Sequence, residues 1–272
     1  MHRKVEAGRG AGWIADGFSH LKSNGGVFAS LGLLMGFLSS LPLLSILIGL
    51  LTPVLHAGMV SAYDSSRRGE TPTLGQLFDG ISRPGAFGRL FPLVLVMLIV
   101  AVVAIVLLLV AVGPALFSLI AGGGEPDPDK VLAMLAPLFL VILILFPVGV
   151  VFGWMMFLAV PRAMLEGVSG FTALRESFAA IGANIGAFIV NLLCWIALVI
   201  VMMIPLMVLG MLFGILASAA GELGQLFAQV LLGTLFGAFY AVIYTASMYQ
   251  AWLEIHAPTD ADEAQPPAAL EA

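Results

Sequence analysis

The sequence predicts an all-α, polytopic helical membrane protein: six transmembrane helices arranged as three units, each an amphipathic helix followed by a two-span hairpin. Three observations predict it. The 272-residue chain is 61% hydrophobic and 10% charged, against about 45–50% apolar and about 25% charged for a soluble globular domain. Its apolar residues gather in runs long enough to cross a bilayer, which takes about 20 residues. Its Lys and Arg residues collect on one side of the membrane if the chain crosses six times.

Each element follows in turn. The N-terminal arm, residues 1–12, is basic and predicted to be cytoplasmic, and it lacks the apolar core and cleavage site of a signal peptide, so no cleavage is expected. The apolar tract 26–63 is too long for one span, and Pro42 interrupts it in SSLPLLS. Proline breaks the helical hydrogen-bond ladder, so hydropathy alone fits either one bent helix or a hairpin. Charge decides between them. With a hairpin, Arg3, Lys4, Arg9 and Lys22 share a side with Arg67, Arg68, Arg83, Arg89, Arg162 and Arg175, and only Lys130 stands opposite. A single span would split the bases almost evenly, against the positive-inside rule. The predicted spans are therefore 26–41, 44–63, 91–113, 134–160, 185–209 and 226–250, with both termini cytoplasmic. Pro42, Pro53, Pro92, Pro114, Pro137, Pro147 and Pro205 lie in or beside these runs and predict kinks. The segment 256–272 has several acids, little apolar content and no Lys or Arg, and it is predicted to be a disordered tail.

A phrase recurs ahead of each pair of spans. WIADGFSHLKSNGGVF at 13–28, TLGQLFDGISRPGAFG at 73–88 and ALRESFAAIGANIGAF at 173–188 align on Ile14, Phe18 and Leu21, on Leu74, Phe78 and Ile81, and on Leu174, Phe178 and Ile181. Positions i, i+4 and i+7 fall on one helical face. Asn24 and Asn184 follow six residues after the Phe in the first and third copies. Each copy reads as a short amphipathic helix lying in the cytoplasmic interface. The units are then about 13–63, 73–160 and 173–253, within a single membrane domain, 13–253.

The stretches GRGAGWIADGF, LLTPVLHAGMVSAYDSSRRGETPTLGQLFDGI and PRAMLEGVSGFTALRESFAAIGANIGAF resemble a family of proteobacterial inner-membrane proteins with no established activity. That family is similar in pattern to a broader group of six-helix membrane proteins with amphipathic helices between span pairs. The resemblance covers roughly residues 8–253 and implies an inner-membrane location; it brings no catalytic residues with it.

The chemistry inside the spans is sparse. No Asp, Glu, Lys or Arg lies in the interior of a predicted span, which argues against a proton pump or ion exchanger built on a buried carboxylate. His56, three residues after Pro53, reads either as a proton or metal site at a kinked helix or as a neutral histidine bonded to a neighbouring helix. No second His, Cys or carboxylate stands at ligand spacing beside it, which favours the second. Asn191, Tyr240 and Tyr244 form a polar series on the last two spans. They read either as the lining of a path or as interhelical glue, and glue is the commoner use. Among the cytoplasmic charges, Arg67, Arg68 and Arg162 are candidate headgroup or phosphate contacts, although Arg162 and Glu166 at i, i+4 also suit a local ion pair. Cys194 is the only cysteine, so an intrachain disulfide is impossible and Cys-based metal sites are excluded. GxxxG pairs at Gly32/Gly36, Gly149/Gly153, Gly210/Gly214 and Gly233/Gly237 permit close helix contact.

No nucleotide, metalloprotease, nucleophile-elbow or DNA-binding motif is present. The sequence thus predicts no enzyme, no cofactor and no nucleic-acid partner. It points first to a scaffold or accessory subunit of the bacterial inner membrane, whose partners are the lipid bilayer and another membrane protein or a second copy of the chain. The alternative is a transporter or lipid-handling protein with a site between the helical repeats, which requires a sizeable cavity lined by His56, Asn191 or the Tyr240/Tyr244 face.

Overall fold

The computed structural model describes residues 2–121 and 128–257; the predicted acidic tail lies almost wholly outside them. The helices are α1 (Arg9–Ser40), α2 (Leu44–Arg67), a 3-10 turn (Leu74–Phe78), α3 (Asp79–Ser82), α4 (Ala86–Ala121), α5 (Pro128–Pro161), a π turn (Arg162–Glu166), α6 (Gly170–Ala183), α7 (Ile185–Ala219) and α8 (Gly221–Ile255), with no strand among the described residues. The protein is an all-α polytopic helical membrane protein. Five helices are long and apolar enough to span by themselves: α2, α4, α5, α7 and α8. The sixth candidate is the bent pair within α1, where Arg9–Ser19 and Asn24–Ser40 meet at 106°. The second leg is about 25 Å long, slightly less than the roughly 30 Å hydrocarbon core.

Asn24 forms the bend with φ −129° and ψ 32°, and Asn184 takes nearly the same shape, φ −124° and ψ 22°, between α6 and α7. An Asn side chain replaces the ladder bonds that such a break releases. Asn24 Nδ2 donates to Ser66 Oγ at 2.9 Å. Asn184 Nδ2 donates to Ala180 O and to Arg3 O, and its Oδ1 accepts from Val5 N.

The chain is arranged as three hairpins. Asn24–Ser66 joins the two ends of the first, α1–α2. Arg89 Nε to Ala163 O, 3.3 Å, joins the second, α4–α5, and Asn191 Nδ2 to Ser247 Oγ, 3.4 Å, joins the third, α7–α8. The joined ends meet in one polar belt. Trp13 Nε1 donates to Glu254 (2.9 Å), Trp252 Nε1 to Glu166 (2.7 Å) and Tyr249 OH to Asp64 (3.0 Å). The arm joins them: Arg3 N donates to Ile255 O at 2.9 Å. The buried core, including Trp13, Phe28, Tyr63, Leu93, Phe157 and Tyr249, sits at this end. Away from the belt, α4, α5 and α7 turn large apolar side chains such as Val110, Phe139 and Ile215 outward, as a lipid solvent allows.

α1 packs along α8. A Cβ on Gly36 would overlap the Thr234 carbonyl oxygen, and one on Gly237 would lie 2.9 Å from Gly36 Cα. The first and last GxxxG pairs therefore face each other within one chain. Gly149, Gly153 and Gly214 have open space around them.

Two features differ from the sequence expectation. Residues 73–88 are not one amphipathic helix: the 3-10 turn and α3 end at Arg83, whose ψ of 135° is extended, as a residue before proline prefers, and Gly85 follows at φ +73°. This segment lies on α2 so closely that Gly58 meets the carbonyls of Gln76 and Leu77. Leu77 is buried there, while Leu74, Phe78 and Ile81 point outward. In the other two copies the apolar face divides. Ile14, Leu174 and Ile181 are buried, whereas Phe18 and Phe178 are exposed. The spans also outrun their predicted ends. α4 continues through Pro114 to Ala121 and α7 through Pro205 to Ala219, so each is about 50 Å long and must tilt or project from the bilayer.

One belt group gives a pH prediction. The His256 side chain is half-buried, its buried Nε2 has no partner among the described residues, and burial, with repulsion from Arg162, His2 and Arg3, pushes its pKa down to about 3. The unfolded chain takes up this proton near the ordinary 6.5, so it binds more protons than the native state between those values. The associated stability is present above about 6.5 and is lost as pH falls toward 3. Thermal unfolding in detergent should therefore shift to lower temperature from pH 7.5 to 5, and His256→Gln should flatten that slope. Identical slopes would refute the assignment.

Candidate functional site

A groove of about 410 Å³ opens between α5 on one side and α7 and α8 on the other. Its wall is aromatic because three helices place rings at the same level. α5 contributes Trp154 and Phe157, α7 contributes Trp195, and α8 contributes Tyr240 and Tyr244. Tyr240 and Tyr244, one turn apart, stack at 5.1 Å between centroids, and Trp195 lies 5.5 and 5.8 Å from them. Phe157 meets Tyr244 edge-on at 5.4 Å. Gly153 leaves space on the α5 wall, with nothing within 4 Å of a Cβ placed there. Val150, Val199 and Ile200 line the part farther from the belt.

The polar groups at the groove are few. Asn191 donates from Nδ2 to Gly10 O (2.9 Å) and toward Ser247 Oγ, which anchors α7 to α1 and α8. The Tyr240 and Tyr244 hydroxyls have no hydrogen-bond partner among the described residues. The buried indole N–H of Trp195 has no acceptor among them either. These groups separate the groove from other crevices. The one between α4 and α5 near Val100 and Phe152 is of similar volume, about 440 Å³, yet all its lining side chains are apolar. Binding sites for small molecules are typically concave and apolar with a few placed polar groups, and the α5–α7–α8 groove has that character.

The predicted site residues divide into three sets. Asn191, Tyr240 and Tyr244 meet in the groove. His56 does not line it. The imidazole is buried against the edge of the Tyr244 ring, and its Nδ1 lies 2.6 Å from Thr245 Oγ1. Thr245 in turn donates to Ala241 O at 2.7 Å, so His56 joins α2 to α8. The arginines are dispersed and already engaged. Arg68 pairs with Asp64 and Glu70 and holds the Glu70 carboxyl below the usual range. Arg162, buried, pairs with Glu166 and Glu176. Arg67 is exposed beside Tyr249. Among the described residues no three His, Cys, Asp or Glu side chains converge on a metal-sized space.

Trp154, Phe157 and Trp195 were not singled out by sequence reasoning, and Gly153 stood out only as half of a GxxxG pair. A signal existed for one of them, since Trp195 stands four residues after Asn191, on the same face of α7. No family model, curated protein or solved structure matches the chain.

Proposed function

We propose that this protein is a non-enzymatic, lipid-handling integral membrane protein that takes a bilayer-derived hydrophobic molecule into the groove between its second and third hairpins. The groove itself carries this reading: a laterally placed, aromatic-walled cavity whose hydroxyls have no partner among the described residues, set between structural units where repeat-built transporters place their sites. The three units are read as one repeated design, and the matching shapes of Asn24 and Asn184 support that. The concentration of basic residues at the belt supports a bacterial inner membrane with the belt and both termini cytoplasmic.

The test uses Gly153→Phe, which enters open space and fills part of the groove. The variant should melt like the parent in mild detergent and retain several-fold less co-purifying lipid by mass spectrometry. Unchanged lipid content would overturn the reading. A scaffold or accessory role is the second reading, favoured by Gly149 and Gly153, whose open surface on α5 would admit a partner helix. In that case the same variant loses a stoichiometric protein partner, with its lipid content intact.

A further inference from the structure

We infer that the groove selects an uncharged lipid whose carbonyl or hydroxyl oxygen docks on the Tyr240, Tyr244 and Asn191 side chains. This rests on the groove being a lipid site and goes on to name the class of its ligand.

The lining contains no Asp, Glu, Lys, Arg or His. A phosphate or ammonium group brought there would leave water with no counter-charge to meet it, which is the costly case. The groove is also not suited to a plain hydrocarbon. Two hydroxyls that can donate or accept stand one above the other on α8 without partners among the described residues. Asn191 uses its Nδ2 within the protein, and its Oδ1 has no donor among the described residues. Trp195 adds a buried N–H that has no acceptor among the described residues. An oxygen lodged beside Tyr240 and Tyr244 completes this set, and a ligand hydroxyl can in turn donate to Asn191 Oδ1.

Depth supports the same class. Asn191 lies about 10 Å along α7 from the Asn184 break, and Trp195 and Tyr244 each lie about 16 Å from the belt ends of their helices. The polar group of the ligand therefore sits well below the headgroup layer, a depth that uncharged lipids reach more readily than phospholipid headgroups. Its chain then runs past Val150, Val199 and Ile200, away from the belt.

The experiment measures tryptophan quenching in vesicles by lipids brominated on the acyl chain, with the signal from Trp195 taken as the difference between the parent and Trp195→Phe. Three probes are compared at equal mole fraction: dibrominated diacylglycerol, phosphatidylglycerol and phosphatidylcholine. The diacylglycerol should quench Trp195 at least several-fold more than phosphatidylcholine, and Tyr240→Phe/Tyr244→Phe should remove that excess without altering melting temperature. Equal quenching by all three, a preference for phosphatidylglycerol, or a preference that survives the double Phe variant would overturn the ligand class while leaving a lipid groove in place. Absence of any Trp195 quenching would overturn the groove as a lipid site altogether.

Discussion

Gly36→Leu is expected to cost about 3 kcal/mol or more and to leave little folded protein in detergent. Overpacking a fitted interface usually costs about 1–3 kcal/mol when side chains can move aside. Here the obstacles are backbone: the Thr234 carbonyl and the Gly237 main chain of α8. Neither can yield without parting the first helix from the last. Gly237→Leu should do similar damage from the opposite side. Gly149→Leu and Gly214→Leu, with nothing within 4 Å, should be near neutral although their sequence context is the same. Comparing folded yield and melting temperature across the four variants tests the packing directly. Equal losses at all four positions would show that α1 and α8 do not meet as described.

Glu254→Ala is the second large effect, with an expected loss of about 2–4 kcal/mol. Glu254 accepts from Arg9 Nε at 3.0 Å and from Trp13 Nε1 at 2.9 Å. The ion pair is partly exposed and contributes modestly. The larger share comes from Trp13, which is fully buried and would keep an N–H with no acceptor, a penalty of about 1–3 kcal/mol. Glu254→Gln retains an acceptor and should lose less than half as much. The sharper measurement is a double-mutant cycle. In a Trp13→Phe background the orphaned donor is gone, so Glu254→Ala should become milder. Strict additivity of the two substitutions would sink this account.

Hydropathy and charge made most of the architecture legible in advance. The runs at 91–113, 134–160, 185–209 and 226–250 each lie inside a single long helix, because continuous apolar sequence has few alternatives to helix in a bilayer. Pro42 with its neighbours correctly marked the turn between α1 and α2. The stretch 73–88 was harder. Its apolar spacing suits a helix, but Gly80, Pro84 and Gly85 favour a different path, and contact with Gly58 of α2 decides the outcome. The groove was legible only in part. Asn191, Tyr240 and Tyr244 could be marked as polar positions in apolar runs. That they face a gap depends on the distance between α5 and α7, and residue periodicity carries no information about how far apart two helices stand.

The seam between α1 and α8 also sets an order of events during synthesis. α1 leaves the ribosome well ahead of its main packing partner, α8, which follows some 180 residues later by chain position. At about 5–20 residues per second that is a wait of roughly 10–40 s. During that interval the glycine face of α1, and Trp13 with its N–H unmet, lack the partner that finally covers them. The Arg3–Ile255 bond likewise has to wait until α8 has been made. A chain halted before α8 would carry an open seam: the Gly32/Gly36 face of α1 uncovered and Trp13 without its Glu254 acceptor.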